Sequence, residues 1–479
     1  MEALVGSLLL TPLLGALLMP WVSKLGRRAA DALVTLVMLA TLVSVLALLP
    51  AADLTTVWQA MGTHFAVDGL SLLFLVVINV VGLCCAVYSI DYIGHYGGRA
   101  KFYSLLLLLV MGLNGVVLVR DIFSLYLFLE VASVAAYVLV AYNLEFDGIE
   151  AALKYLLLSV VATGMVLIGI ALILMTTGTL AFAELKTALA GGAATNPVFM
   201  LAAGLFVAGF GLKAAVVPFH AWLPDAHPSA PAPISAMLSG VVIKVAGVYA
   251  LVRIFFGLYA APAQVLRVLL LLGIVSMIAG SLIAFFQTDF KRLLAYSSIS
   301  QIGYILIGLG IGNWLGVAGA LFHILNHAIF KSLLFLNSGA VQLRTGTRDI
   351  REMGGLENRM RVTGVTSTFG TLSIAGVPPF GGFFSKLFII LGAVMAKQWT
   401  VAFLAVFFSI FTLGYFLYLQ RRVFFGKLNE RWNDIKEAPA AMSIAVVVLA
   451  ATTLLLGVFF DSVLRGLIEP AARVLLGGN

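Results

Sequence analysis

Residues 209–249 read GFGLKAAVVPFHAWLPDAHPSAPAPISAMLSGVVIKVAGVY, and the architecture of the chain can be worked out from this stretch. Its two ends are apolar, and each end carries one lysine, Lys213 or Lys244. Irregular backbone at membrane depth is tolerated only where protein or a water-filled cavity covers it. The stretch therefore predicts a membrane helix that breaks beside an ionisable group. The break is caused by five prolines, which cannot donate backbone hydrogen bonds: Pro218, Pro224, Pro228, Pro231 and Pro233.

The composition of the whole chain excludes a soluble protein. Of its 479 residues, 62% are hydrophobic and 10% are charged, and the mean hydropathy is +1.09. Soluble domains carry about 45–50% apolar and about 25% charged residues. The net charge of +8 is typical of basic cytoplasmic loops in a membrane protein. We therefore predict an all-α polytopic protein of the cell (inner) membrane, surrounded by lipid and without a nucleic-acid partner.

Hydrophobic runs of helical length recur along the chain. Because one crossing needs roughly 20 apolar residues, each of these runs is a candidate span: 3–22, 31–50, 69–90, 102–119, 122–142, 151–176, 198–219, 234–256, 264–286, 293–311, 315–341, 362–395, 399–420 and 440–460. The twelfth run is too long for one straight crossing, and GVPPFGG at 376–382 interrupts it. We therefore predict about fourteen transmembrane helices, with helices 7 and 12 broken.

The two breaks lie five spans apart, which predicts an inverted internal repeat. Paired interruptions in corresponding halves are typical of inverted repeats, and ion sites lie at such breaks. An offset of five helices places the two halves in opposite orientation across the membrane. The predicted units are helices 1–3 (1–101), a first inverted repeat of helices 4–8 (102–256), a second of helices 9–13 (264–422), and helix 14 with the tail (440–479).

Basic residues are distributed unevenly between alternate loops. One set of loops carries 17 Lys and Arg, and the other set, with the C-terminal tail and with Arg253 at the end of the eighth run, carries 6. Cytoplasmic loops hold the excess of Lys and Arg in helical membrane proteins. We therefore expect both termini on the non-cytoplasmic side and these loops in the cytoplasm: 21–30, 91–101, 143–150, 220–233, 287–292, 342–361 and 421–439.

Ionisable residues inside the predicted spans are the main functional signal, because charges at bilayer depth are costly and mark ion pathways. Glu130, in LYLFLEVASVAAYVLV (125–140), is the one acidic residue deep in any predicted span. An ion-paired packing residue is the alternative for Glu130, and snorkelling to the interface is the alternative for a lysine. Lys213 precedes the first break, and Lys244 lies in mid-span. Lysines in an apolar interior can load and release protons when a partner carboxylate moves or changes charge.

The eleventh run contains LFHILNHAIFKSLLF (321–335), which places His323, His327 and Lys331 at i, i+4 and i+8. This spacing puts the three side chains on one helix face, where histidines can relay protons through water. The alternatives are a hydrogen-bonded structural role and a metal site, for which no third ligand is present in the motif. Lys386, in GVPPFGGFFSKLFI (376–389), follows the second break as the counterpart of Lys213.

A second group of residues is accessory. Lys154 lies near a span end and can snorkel, and His220, Asp225 and His227 lie in the proline-rich loop HAWLPDAHPSAPAP (220–233). One Asp with two His resembles part of a metal set, but a stiff loop that shapes a channel mouth is the preferred interpretation. The pair Cys84 and Cys85 is interpreted as packing, so the sequence predicts no metal site.

Together these motifs resemble one family, the antiporter-like proton-channel subunits of respiratory complex I (NADH:quinone oxidoreductase), of Mrp-type Na⁺/H⁺ antiporters and of membrane-bound hydrogenases. The resemblance rests on FHAWLPDAHPSAP (219–231) and is supported by 127–139, 291–304, 321–335 and 376–389. It implies fourteen helices around a ten-helix inverted-repeat core, and a proton path along a central line of charges. It also implies roles for the line: Glu130 pairs with Lys213, Lys244 connects, His323 and His327 lie on the connecting eleventh helix, and Lys386 ends the second half-channel.

Three functions remain open at this point. The leading hypothesis is a proton-translocating subunit of a redox-driven, complex I-like pump of the NADH:quinone oxidoreductase or hydrogenase type. The first alternative is a D-type subunit of a multisubunit Mrp Na⁺/H⁺ antiporter, and a standalone solute symporter is less favoured. Some members of the family carry Glu at the position of Lys386, and the chain ends soon after its last span; both features favour the shorter subunit types. We find no flavin, nicotinamide or iron–sulfur motif, so we expect no cofactor on this chain and any redox chemistry in partner membrane subunits.

Overall fold

The computed structural model describes residues 2–51, 56–60, 63–95, 97–190 and 196–477. Within these ranges the chain is a bundle of long apolar helices with one antiparallel hairpin. Its N-terminal part contains α1 (Glu2–Val22), α2 (Arg27–Leu48), β1 (Thr56–Ala60), β2 (Thr63–Val67) and α3 (Gly69–Tyr92).

The middle of the chain contains the first break. It begins with α4 (Arg99–Leu118), α5 (Ile122–Val140), α6 (Phe146–Thr177) and the short α7 (Phe182–Ala190). Helix α8 (Pro197–Lys213) ends at the lysine, and α9 (Leu223–Ser229) follows the break. The next span, Ala232–Phe255, consists of α10 (Ala232–Met237), a π-helix (Leu238–Tyr249) and α11 (Ala250–Phe255).

The second half repeats this plan of long helices and one break. It contains α12 (Ala263–Phe285), α13 (Phe290–Ile311) and α14 (Trp314–Thr345). Helix α15 (Arg361–Ala375) ends at the second break, which α16 (Gly381–Met395) follows. The chain continues with α17 (Trp399–Val423) and α18 (Ala440–Val458), and finishes with α19 (Phe460–Val463), a π-helical turn (Leu464–Ile468) and α20 (Glu469–Leu476).

Several helices begin where an Asp or Asn side chain accepts a hydrogen bond from a backbone N–H of the first turn. Such N-caps satisfy donors that the helix itself leaves free. Asp121 accepts from Ser124 N at 2.6 Å at the start of α5, and Asp289 accepts from Arg292 N at 2.9 Å at the start of α13. The second cap matters for the site, because it places Lys291 in the first turn of a helix.

Each of the fourteen hydrophobic runs coincides with helical structure: the seventh with α8 up to the first break, the eighth with the continuous span Ala232–Phe255, and the twelfth with the pair α15 and α16 around the second break. Within the described ranges, twelve helices are long and apolar enough to cross a membrane, while α8 and α16 are shorter. The all-α membrane fold is thus confirmed, and both predicted interruptions are present. The number of crossings, the inverted repeat and the unit boundaries stay predictions. Several helices extend past the ends of the predicted runs into the predicted loops; α13, for example, begins at Phe290, three residues before the tenth run.

The bundle has its most buried elements at its centre. In both α14 and the span Ala232–Phe255, the apolar window is completely enclosed by other helices. A helix that is apolar on all sides is typical of a protein interior. Helix α14 packs against α3, α10, α13, α15, α16 and α18. Polar side chains on α14 are therefore held away from lipid and from bulk water.

Candidate functional site

The first group of the site is a lysine–carboxylate pair at the end of α8. The Lys213 amine lies 3.5 Å from the Glu130 carboxylate of α5. It also donates to the Ser133 hydroxyl at 2.8 Å and to the Ser159 hydroxyl of α6. The side chain of Lys213 is 2% exposed and that of Glu130 is 29% exposed. The Glu130 side chain therefore lies near the protein surface, and the Lys213 amine lies in the interior.

The second group is Lys244, in the middle of the π-helix. Its side chain is fully buried, and its amine donates to the carbonyl oxygen of Ser239. No carboxylate forms an ion pair with it in the described part of the chain. π-Helical segments are rare and are frequently found at functional sites.

Two glycines bring the π-helix close to its neighbours. A Cβ on Gly247 would lie within 2.5 Å of the backbone nitrogen of Ala214, the residue after Lys213. A Cβ on Gly240 would collide with the Ser332 hydroxyl, which follows Lys331 on α14. Lys244 therefore lies on a helix that is wedged between the first break and α14.

The third group is the polar face of α14. His323 Nδ1 lies 2.9 Å from the Ser385 hydroxyl, and its Nε2 lies 3.1 Å from Gln301 Oε1. The ring of His327 stacks nearly parallel to that of His323, at a centroid distance of 6.1 Å. Among the described residues, neither ring nitrogen of His327 has a hydrogen-bond partner. Both imidazoles are fully buried.

Lysines lie at both ends of this histidine pair. Lys331, one turn after His327, donates to the Leu294 carbonyl at 2.7 Å and to the Ser297 hydroxyl. Lys386 on α16 donates to the carbonyl of Ile374, near the end of α15, at 2.8 Å. Its amine also lies 4.7 Å from the centroid of the Tyr304 ring. Carbonyls at a helix C-terminus and aromatic faces both stabilise a cation without neutralising it.

The proline-rich loop does not bring its three candidate ligands together as a metal site. Asp225 instead pairs with Lys154 at 3.1 Å and with Arg292 at 3.2 Å. His227 is buried and stacks on the Phe335 ring at 4.4 Å. His220 is partly buried, and its Nδ1 has no partner in the described ranges. The described residues contain no group of three or more His, Cys, Asp or Glu that could hold a metal ion.

Two further clusters were not predicted from the sequence. Lys291 is 1% exposed and donates to the Ala230 carbonyl at 2.8 Å. Its signal was the pattern Asp289-Phe290-Lys291, a helix cap followed by the first turn. At the opposite end of the bundle, Arg253 contacts Asp68 at 2.7 Å and Arg120 contacts it at 3.2 Å. Burial alone would raise the pKa of the Asp68 carboxyl, but the two guanidinium groups hold it well below its usual range.

Comparison with known proteins identifies the family. A family model described as NADH:quinone oxidoreductase/Mrp antiporter, TM, matches residues 119–412, which is more than half of the chain. A second model, described as NADH-Ubiquinone oxidoreductase (complex I), chain 5 N-terminus, matches residues 59–103. The chain belongs to the NADH:quinone oxidoreductase/Mrp antiporter family. It is an antiporter-like, multi-pass membrane protein, as the resemblance of its motifs implied.

The relatives of this chain include subunits of NADH-quinone oxidoreductases and subunits of Na⁺/H⁺ antiporters. The chain is 35% identical to the N subunit of the NADH-quinone oxidoreductase of Desulforudis audaxviator, over 86% of this chain and 85% of that protein. It is 32% identical to the D-type subunit of the Na⁺/H⁺ antiporter of Alkalihalophilus pseudofirmus, over 87% and 85% respectively. A chain in the structure of the Mrp complex from Dietzia sp. superimposes with a TM-score of 0.92 at 28% identity, covering 99% of this chain and 97% of that chain.

Proposed function

We propose that this chain conducts protons across the membrane along its buried line of ionisable groups. The observation that carries the proposal is the contact of Lys213 with Glu130 at 3.5 Å, at the beginning of a line of buried bases. Intramembrane charges are expensive and are retained along ion pathways. The line passes through these residues: Glu130, Lys213, Lys244, Lys331, His327, His323 and Lys386.

The ion pair of Glu130 and Lys213 provides a way to control proton transfer along the line. A carboxylate next to an amine favours the ammonium form. When Glu130 is neutralised or moves away, Lys213 loses this stabilisation and passes its proton toward Lys244. The N–H bond that breaks at Lys213 is replaced by one at the next base, so each transfer moves one proton and returns the donor to its neutral form. Glu130 can respond to a neighbouring protein of the complex because its side chain is partly exposed.

The second half of the path uses the imidazoles of α14. A neutral imidazole accepts a proton on one nitrogen and releases one from the other. The His323 ring bridges Gln301 and Ser385, and Ser385 is adjacent in sequence to Lys386. We infer that protons pass from His327 to His323 and leave through Lys386, with water or hydroxyl groups closing the intervals. The accessory residues Lys154, His220, Asp225 and His227 shape the loop at the mouth of the first half.

The driving reaction is assigned to partner membrane subunits. We infer that this chain binds no redox cofactor, since we find no motif for one in its sequence. The leading assignment is a redox-driven, complex I-like pump, which the similarity to the N subunit of a NADH-quinone oxidoreductase supports. The second candidate is the D-type subunit of an Mrp Na⁺/H⁺ antiporter, favoured by the fit to a chain of the Dietzia Mrp complex. We place the complex in the cell (inner) membrane, with both termini on the non-cytoplasmic side.

The test uses the whole complex, purified through a tag on this chain and reconstituted in liposomes. Mass spectrometry of the co-purified proteins distinguishes an electron-transfer assembly from a set of small antiporter subunits. Proton uptake is then followed with a pH-sensitive dye, driven by electron donor and quinone or by a Na⁺ gradient. Lys213→Met should lose uptake, while the exposed control Lys186→Met should retain it. Full uptake by an assembled Lys213→Met complex would contradict the proposal.

A further inference from the structure

A polar cavity of about 330 Å³ lies between the two halves, on the face of the bundle formed by 143–150, 220–233 and 342–361. Its walls come from the turn between α5 and α6, from α9, and from the end of α14 with the loop that follows. A second cavity of about 180 Å³ shares Asp147, Pro228, Ser229 and Arg348 with it. The lining of the larger cavity includes Asn143, Asp147, Ser229, Lys291, Gln342 and Arg348.

Lys291 contributes a buried amine to this cavity. Its side chain is 1% exposed, and its amine donates to the Ala230 carbonyl at 2.8 Å. In the described part of the chain it forms no ion pair, whereas Arg348 in the same wall pairs with Asp289 at 3.2 Å. An ammonium group buried without a carboxylate is costly unless further acceptors surround it. The adjacent polar cavity has room for water molecules that would supply such acceptors.

Two amide side chains of the wall also indicate water. Asn143 Oδ1 and Gln342 Oε1 have no hydrogen-bond partner among the described residues, although both residues line the cavity. Buried acceptors are normally paired, and ordered water is a common partner. A rotation of either amide that brings its oxygen into the cavity would allow water to donate to it. At about 30 Å³ per molecule, the volume holds on the order of ten waters.

The lysine is next to the line of buried bases. Ala230, which accepts from Lys291, follows His227 by less than one helical turn. The Ser235 hydroxyl donates to the backbone carbonyls of both residues, at 2.8 Å to that of His227 and at 3.3 Å to that of Ala230. The His227 ring stacks on Phe335 of α14. The amine of Lys331 lies 6.0 Å from the centroid of the same Phe335 ring. This series of contacts connects the cavity, through Lys291 and the backbone turn that carries His227, to the Phe335 ring beside Lys331.

We propose that this cavity is the aqueous mouth through which protons reach the buried line, and that Lys291 exchanges them between cavity water and His227. This inference rests on the proposed proton translocation. In each exchange, an N–H bond of the Lys291 ammonium breaks and one forms on a ring nitrogen of His227, directly or through one water. The neutral amine then takes a proton from a hydronium ion in the cavity. The connection passes between the two halves of the chain.

The test blocks the cavity with a thiol reagent in the reconstituted complex. In a background with Cys84 and Cys85 replaced by alanine, Ser229→Cys places a thiol in the cavity wall. The matched control Asn433→Cys places one on an exposed loop outside both cavities. A positively charged methanethiosulfonate should label both, but should slow proton uptake by about tenfold or more only at position 229. Complete labelling at 229 with unchanged uptake, or no labelling there, would overturn the inference.

A second arm examines Lys291 directly. Lys291→Met, with assembly of the complex verified by mass spectrometry, should reduce uptake by about tenfold or more. If this variant fails to assemble, Asn143→Leu and Gln342→Leu provide the measurement, because apolar side chains expel water from the wall. Undiminished proton uptake in the assembled variants would contradict the proposal that this cavity is the entrance for protons. If the Ser229→Cys variant is labelled but the complex without substitutions takes up no protons, the result would instead contradict the proposed function, so the two failures are distinguishable.

Discussion

Glu130 differs from the other members of the buried line in being an acid and in being partly exposed. Among the described residues, Lys213 is the one lysine of the line that contacts a carboxylate. Glu130→Ala should therefore lower proton uptake by about a hundredfold or more, because Lys213 is left without its partner. Glu130→Asp, which keeps the charge on a shorter side chain, should retain part of the activity. Normal uptake in assembled Glu130→Ala complexes, alongside the exposed control Glu430→Ala, would exclude this role.

Lys386 differs from Lys213 because its amine contacts a carbonyl and an aromatic face instead of a carboxylate. If its amine must lose a proton in each cycle, Lys386→Ala should stop uptake. Lys386→Arg should impair it nearly as much, because a guanidinium stays protonated above about pH 12. Lys386→Glu should keep part of the activity, since a carboxylate at this position can also load and release a proton. Near-normal uptake by Lys386→Arg would show that a fixed positive charge is sufficient.

At the scale of single elements, the close packing of the π-helix is the feature most open to test. A methyl group on Gly247 has no space, since it meets backbone atoms of Ala214 that cannot turn aside. Gly247→Ala should therefore lower the free energy of unfolding by about 1–3 kcal/mol. The control is Gly204→Ala on α8, where a Cβ meets nothing within 4 Å, and this variant should change stability by no more than about 0.5 kcal/mol. Thermal unfolding of the purified complexes provides the comparison.

The elements also show which features can be predicted from sequence. Both breaks were predictable because proline and glycine interrupt apolar helices by a local mechanism. The π-helix at Leu238–Tyr249 was not, because its residues carry the same apolar pattern as an ordinary helix. Lys291 was missed for a related reason: hydrophobic runs mark the part of a helix in lipid, while the polar first turn of α13 continues beyond it.

For the whole molecule, the candidate site depends on contacts between distant parts of the chain. The spacing of His323, His327 and Lys331 was predictable within one helix, because i and i+4 side chains share a face. The contact of Glu130 with Lys213 joins two helices, and it was expected only through the family resemblance. The cavity between the halves requires five separate segments to converge, and no local pattern in the sequence encodes that convergence.

The orientation of the whole molecule follows from the distribution of 17 against 6 basic residues between alternate loops. Membrane insertion keeps loops that are rich in Lys and Arg in the cytoplasm. The loop at 421–439 should therefore be cytoplasmic and the N-terminus external. Asn433 and Glu2 are both exposed, and the predicted topology places them on opposite faces, so they provide single-cysteine positions for the test. In intact cells, a membrane-impermeant maleimide should label Glu2→Cys but not Asn433→Cys until the membrane is opened. Labelling of Asn433→Cys with protection of Glu2→Cys would reverse the orientation. The proposed mouth would then face outward, and protons would enter the buried line from the external side.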